Sequence, residues 1–331
     1  MKAFVVQKYG APDVLQLRDV ETPIPKDNEV LIKIYATTVT SGDCRVRALN
    51  VPVGFGLIMR LVFGWSTPKQ PILGTELAGV IEAIGKDVSK FNIGEAVFAF
   101  TDFAMGCHAE YKCMSEDALI QPKPASLSFD EAATLSFGGT TALDFFRRAK
   151  LKHGERVLIN GASGAVGIAA VQIAKHFGAH VTGVCSTANV DLVKSVGADH
   201  VIDYTVEDFT KTGETYDVIM DTVGNAPFSR CSESLKTDGR LLMVIADLLD
   251  MLLVPWVAMT SSKKIIAGPV ASSKDDLHFL ARLATVGEYK SIIDRRFPFD
   301  QIANAHRYVD TGRKRGNVVI NVFNLETAVD R

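Results

Sequence analysis

The 331-residue chain is poor in the features that would staple a fold or commit it to a polyanion. It has five cysteines, Cys44, Cys107, Cys113, Cys185 and Cys231, an odd number with no CxxC pair among them. That excludes a disulfide framework and points to a reducing compartment, read here as the cytoplasm. There is no charge excess of either sign: 36 basic against 38 acidic side chains leave a net charge of −2. A dedicated nucleic-acid binder is therefore not expected. The N-terminus, MKAFVVQKYG, lacks the apolar core and small-residue cleavage site of a signal peptide. The one long apolar stretch, Leu241 to Met259, is broken by Asp247, Asp250 and Pro255. Because charges at bilayer depth cost several kcal/mol, it is read as a core strand followed by a buried helix, and no membrane partner is expected.

What remains is ordinary globular material, 47% hydrophobic and 22% charged, long enough for about two domains. The two parts differ in rhythm. Up to about residue 120, short runs such as Val30–Ile34, Gly79–Ile84 and Ala96–Phe100 alternate with turn residues and leave no room for helices. That predicts an antiparallel, barrel-like β domain. From Arg156 onward, apolar strands recur at 157–159, 180–184, 201–202, 216–220, 241–245 and 264–266, mostly with room for a helix between neighbours. This is the βαβ pattern of a parallel sheet. Val166, Ala169, Ala170, Ile173, Ala174 and Phe177 fall on one helical face, and Gly178 stands where a helix-ending glycine belongs. Residues 125–150 read as a helical bridge opened by a Ser128/Glu131 capping box. The tail predicts helices over 275–286 and 299–311, a short strand near Ile292 and a last strand over 317–321.

Between the first parallel strand and its helix lies Asn160-Gly161-Ala162-Ser163-Gly164-Ala165-Val166-Gly167, with Ala162 in place of the first glycine of a GxGxxG turn. Gly164 removes a Cβ where the backbone must approach a pyrophosphate, and Gly167 lets the helix pack against the sheet. Free amides and the positive end of the helix dipole then bind phosphate. Ser163, Gly164, Ala165 and Val166 are thus cofactor-binding candidates. The next strand ends in Cys185-Ser186-Thr187-Ala188-Asn189 with no acidic residue before Asp191. A carboxylate there would hold the ribose 2′-hydroxyl of NAD and repel the 2′-phosphate of NADP. Its absence, with Ser186, Asn189 and Tyr204 as polar partners, favours NADP.

The chain resembles the medium-chain dehydrogenase/reductase superfamily, in its zinc-independent, quinone-oxidoreductase-like branch. The resemblance spans nearly the whole chain and is carried by Pro71-Ile72-Leu73-Gly74-Thr75-Glu76, Phe91-Asn92-Ile93-Gly94-Glu95, Gly106-Cys107-His108-Ala109-Glu110-Tyr111, Gly197-Ala198-Asp199, Asp221-Thr222-Val223-Gly224 and Gly316-Asn317-Val318-Val319. It implies an α/β architecture: a GroES-like catalytic domain over 1–124 and 269–331, a Rossmann domain over 125–268, and a cleft between them. It also implies a homodimer. By the same resemblance Thr141 lies near the nicotinamide, and Val223, Ile245, Gly268 and Asn317 line the cofactor cleft. The zinc-ligand positions of the superfamily fall on Thr40, Thr75 and about Phe137, which are poor ligands or none, so no metal is expected. His108, beside Cys107 and near Cys113, stands in an aromatic slot and is read as a packing residue.

Without a Lewis acid, an activated acceptor suits such a site: a quinone or an α,β-unsaturated carbonyl. The substrate-side candidates are Thr40, Asp43 and Arg45, with Asp43 and Arg47 equally readable as a structural ion pair. Thr40 and Arg45 stand where quinone-reductase relatives often carry Asn and Tyr. The apolar segment 50–70 reads either as a lid over an apolar small-molecule substrate or as a helix on the core or at an interface. Two other functions are compatible with these residues: a zinc-free NADP-dependent alcohol or aldehyde dehydrogenase, and a noncatalytic NADPH-binding protein.

Overall fold

A computed structural model describes residues 1–323. Six strands form an all-parallel sheet in the spatial order His200–Asp203, His180–Cys185, Arg156–Asn160, Tyr216–Asp221, Leu235–Met243 and Lys264–Ile266. Numbered along the chain this is 3-2-1-4-5-6, the doubly wound order with its switch point beside the first strand. The amphipathic run after that strand forms the helix Ala165–His176, and Gly178 follows it with φ +76°. Helices Ser136–Ala149, Ala165–His176 and Lys274–Thr285 cover one face, burying Val157, Ile159, Val181 and Met220 beneath them. Each such aliphatic side chain contributes about 1.5–3 kcal/mol on burial.

The bridge is two helices rather than one. The Ser128/Glu131 capping box forms as read, but the helix it opens, Phe129–Ala132, stops after one turn. The chain re-enters a helix at Ser136–Ala149. The second helix packs so closely that a Cβ on Gly138 would meet the Ala165 carbonyl oxygen at 2.7 Å, and one on Gly139 would meet Leu280 at 2.5 Å.

A second sheet has seven strands: Ile293–Pro298, Asn317–Asn321, Glu29–Thr38, Glu76–Ile84, Ala96–Phe100 and Ile120–Pro122 in order, with Tyr111–Ser115 also pairing Glu29–Thr38, and a small third sheet pairs Lys2–Val6 with Leu15–Asp19. The seven-stranded sheet is not purely antiparallel, because the two strands from the chain's end run parallel to each other. Register shifts between Leu31 and Ile32 and between Ile34 and Ala36 bend Glu29–Thr38 so that it serves three neighbours.

One apolar segment differs from expectation, and a second takes one of its two readings. In the helix Leu248–Thr260 only Val257 is buried, while Trp256 is 60% and Leu252 63% exposed. Segment 50–70 contains the helix Gly56–Phe63, whose Met59 and Phe63 pack on the β-domain core while Leu57, Leu61 and Trp65 face outward. Among the described residues no helix is long and apolar enough to cross a membrane.

Candidate functional site

A cleft of about 1130 Å³ runs between the loop ends of the two larger sheets. Its floor is the glycine turn. Gly161 takes φ +82°, and a Cβ on Gly167 would lie 2.1 Å from the Gly161 carbonyl oxygen, so the helix can start this close to the strand only with glycine there. The N-cap is Gly164, which has no side chain to accept from the first-turn amides. Those amides and the helix dipole are left for an anionic ligand. Ser163, Gly164, Ala165 and Val166 all line the cleft here.

The next wall carries Ser186, Asn189 and Tyr204, brought together as the sequence suggested. Asn189 Nδ2 donates to Ser163 Oγ at 3.2 Å and to Ser186 Oγ at 3.1 Å, while its Oδ1 is buried without a partner. An orphaned acceptor beside a row of hydroxyls fits the polar ribose end of a dinucleotide. Arg230, remote in sequence, lines the same cleft and donates to Asp208 Oδ1 at 3.1 Å.

Toward the β domain the lining becomes apolar: Val46, Phe100, Phe103, Met105, Phe137 and Val270, with Thr75 and Thr141 among them. Thr141 Oγ1 donates to the Phe137 carbonyl at 2.7 Å, leaving only its lone pairs for a ligand. Val223 and Ile245 are among the residues that line the cleft, and Gly268 and Asn317 are not. Asn317 Nδ2 instead donates to the Ile292 carbonyl at 3.2 Å, which joins the end strands to each other.

Of the substrate-side candidates only Arg45 lines the cleft, and burial pulls its pKa down. Thr40 and Asp43 bond each other, while Asp43 Oδ1 is buried without a partner. Thr40 caps the helix Ser41–Ala48, accepting from the Asp43 amide at 3.1 Å, and Asp43 Oδ2 accepts from the Thr40 amide at 2.7 Å and hydroxyl at 2.6 Å. Both are buried and lie outside the cleft lining, where they close a capping box. The Asp43–Arg47 pair does not form either. Arg47 binds Asp310 at 2.7 Å and His306 Nδ1 at 3.1 Å. His108 is wholly buried; its Nε2 meets the Thr38 carbonyl at 2.9 Å, and it lies edge-on to His306.

Two ionisable groups near the inner cleft were not singled out from the sequence. Burial pushes the Glu76 carboxyl up to about 7, although the Phe137 amide at 2.5 Å and the Thr38 hydroxyl at 2.6 Å pull it back. Lys314 lines the cleft and donates to the Gly316 carbonyl at 2.6 Å. Burial pulls its amine down to about 8, opposed by the charges of Glu76 and Asp294. The basic run Arg313-Lys314-Arg315 ahead of Gly316 was the available signal, but a charged turn in a sequence reads first as a solvated one.

The residues at the superfamily's zinc positions do not suit the ion. Thr40 Oγ1 gives its proton to Asp43, the buried Thr75 Oγ1 is a neutral hydroxyl, and Phe137 has no donor atom. Among the described residues no three His, Cys, Asp or Glu side chains come together as a metal site.

Comparison with known proteins agrees with this architecture. Residues 26–140 match a family described as alcohol dehydrogenase GroES-like domain, and residues 196–320 one described as zinc-binding dehydrogenase. The chain is 33% identical to 2-methylene-furan-3-one reductase of Solanum lycopersicum, over 97% of its own length and 79% of that protein. It is 31% identical to quinone oxidoreductase of Homo sapiens, over 94% of each. The chain belongs to the medium-chain dehydrogenase/reductase superfamily, in its quinone-oxidoreductase-like branch. Within that superfamily, the quinone oxidoreductase of Coxiella burnetii superposes with a TM-score of 0.87 at 31% identity, covering 98% of this chain and 99% of that one. As a member of this branch the chain is an oxidoreductase whose Rossmann unit takes a nicotinamide cofactor.

Proposed function

We propose that the protein is a zinc-independent, NADPH-dependent reductase of quinones or α,β-unsaturated carbonyls. The observation that carries this reading is the inner cleft: apolar, next to the dinucleotide turn, and without a set of metal donors at the positions where alcohol-oxidising relatives hold zinc. The names of the relatives, quinone oxidoreductase and 2-methylene-furan-3-one reductase, support the same acceptor classes.

The first-turn amides of Ala165–His176 would hold the pyrophosphate, and Ser186, Asn189 and Tyr204 the ribose end. NADP is favoured over NAD by the missing carboxylate on that wall and by Arg230, which adds a positive charge to the same cleft. When bound, the cofactor supplies a hydride equivalent to the acceptor's electrophilic carbon or oxygen. The chain's own part is to orient and to exclude water. Phe100, Phe103 and Phe137 wall the acceptor, and the Thr141–Phe137 hydrogen bond holds the floor of the nicotinamide end. Arg45 and Lys314 place positive charge on the same cleft, where negative charge develops on the acceptor oxygen. The reading includes a cytoplasmic homodimer, supported by the scattered free thiols and by the outward apolar face of Leu248–Thr260.

The test is NADPH oxidation by purified protein treated with chelator, offered quinones, enones and saturated aldehydes, with NADH in parallel. Consumption confined to quinones or enones, faster with NADPH and indifferent to chelator, is expected. Activity lost to chelator and restored by zinc overturns the metal argument. NADPH binding without turnover on any acceptor shifts the assignment to a noncatalytic role.

A further inference from the structure

A second cavity of about 370 Å³ lies beside the inner end of the cleft, and the two share Val46, Phe103 and Met105 in their walls. Its remaining walls come chiefly from the helix Gly56–Phe63 and the turn after it: Val62, Phe63 and Pro68. The polar residues at its outer end are already bonded within the chain. Lys69 Nζ donates to the Leu61 carbonyl at 2.6 Å, and Gln70 Nε2 to the Ala104 carbonyl at 3.3 Å. Both contacts are to neutral carbonyls, so Lys69 keeps its charge at that end, while the rest of the surface offered to an occupant is aliphatic and aromatic.

The backbone is bent to make this groove. Asp102 and Met105 both take left-handed conformations, φ +46° and +47°, which cost an L-residue about 1 kcal/mol or more. The bend places Phe103 against Phe63, ring centroids 5.8 Å apart, and keeps Met105 at the junction with the cleft. Val62 and Phe103 are about half exposed, so the groove holds apolar surface that its own chain does not cover.

We infer that this groove receives a linear alkyl tail of a substrate whose reactive head lies in the cleft. The shared walls at Val46, Phe103 and Met105 decide for a substrate tail, since a molecule seated in the cleft lies directly beside the groove. The inference rests on the reductase reading and narrows it to acceptors with a medium-length or longer apolar tail. It also gives segment 50–70 a second role beside core packing: its helix walls the tail groove.

The experiment is a chain-length series of alkyl vinyl ketones with NADPH, run on the full chain and on Val62→Trp, which fills the groove beyond the junction. In the wild type kcat/KM is expected to rise about two- to fourfold per added methylene and then level off as the groove fills. In Val62→Trp the ratio of longest to shortest acceptor is expected to collapse toward one. A flat series in the wild type, or an equal rise in both proteins, overturns the inference while leaving the reductase reading intact. An altered oligomeric state in Val62→Trp with an unaltered series assigns the groove to a subunit contact and also overturns it. If no acceptor of any length turns over, the reductase reading fails, and calorimetry of saturated alkyl methyl ketones binding to both proteins decides the groove by itself. Affinity that climbs with chain length only in the wild type supports the tail site, and equal affinities overturn it.

Discussion

The Gly316 amide donates to the Ser163 carbonyl at 2.9 Å, and the backbone at Gly316 bridges in parallel to Gly164. The turn leading into the last strand of the β domain therefore rests on the residues that would hold the cofactor phosphates. Lys314 sits two residues before that contact, so the two units share one wall of the cleft. Movement of one unit against the other has to break or carry this contact, which couples cofactor binding to the shape of the acceptor end.

Gly316→Ala tests that coupling. Gly316 has φ +65°, and an added Cβ would lie 2.4 Å from the Ile292 carbonyl oxygen. The substitution is expected to destabilise the fold by about 1–3 kcal/mol and to weaken NADPH binding, because the turn must retreat from Ser163. Thermal unfolding with and without NADPH checks it. An equal loss in both would place the strain away from the cofactor turn.

Ser186→Asp restores a carboxylate to the ribose wall. A negative charge there repels a 2′-phosphate and accepts from a ribose hydroxyl instead. KM for NADPH is expected to rise about 10- to 100-fold while KM for NADH falls, read by steady-state kinetics with one acceptor. Unchanged KM values for both would mean that the ribose end lies elsewhere in the cleft.

Glu76→Gln addresses the buried carboxyl. Its native pKa of about 7 stands above the ordinary 4.5, so the folded protein retains a proton that the unfolded chain has already released. For this group the native state is therefore favoured at low pH, loses stability as pH rises from about 4.5 to about 7, and changes no further above that. The loss is about 3 kcal/mol. The amide variant, still able to accept from the Phe137 amide, is expected to lack this decline and to gain on the wild type above pH 7. Denaturant midpoints across that range measure it, and parallel profiles would contradict it.

Much of the architecture was legible because it rests on local rules. The strand–glycine turn–helix of 156–176, the Ser128/Glu131 capping box and the order of apolar strands follow from periodicity and from groups within a few residues of one another. Solvation was less legible. The run after Leu241 has the composition of a buried helix, yet Trp256 points outward, because burial depends on what packs alongside and not on composition. The bridge helix broke at Ala133–Leu135 where tertiary packing re-aimed it toward Ala165.

The site divides along the same line. By itself the sequence determined the phosphate turn, the missing carboxylate after Cys185 and the unsuitability of Thr40, Thr75 and Phe137 for zinc, since each depends on residue type at one position of a motif. Only the tertiary structure decided that Asp43 closes a helix end, that Arg47 turns to Asp310, and that Lys314, Arg230 and the Phe63–Phe103 groove reach the cleft. Those outcomes depend on which distant segments meet. A side chain's partner there is set by packing between elements separated by tens to hundreds of residues, and no local pattern records it.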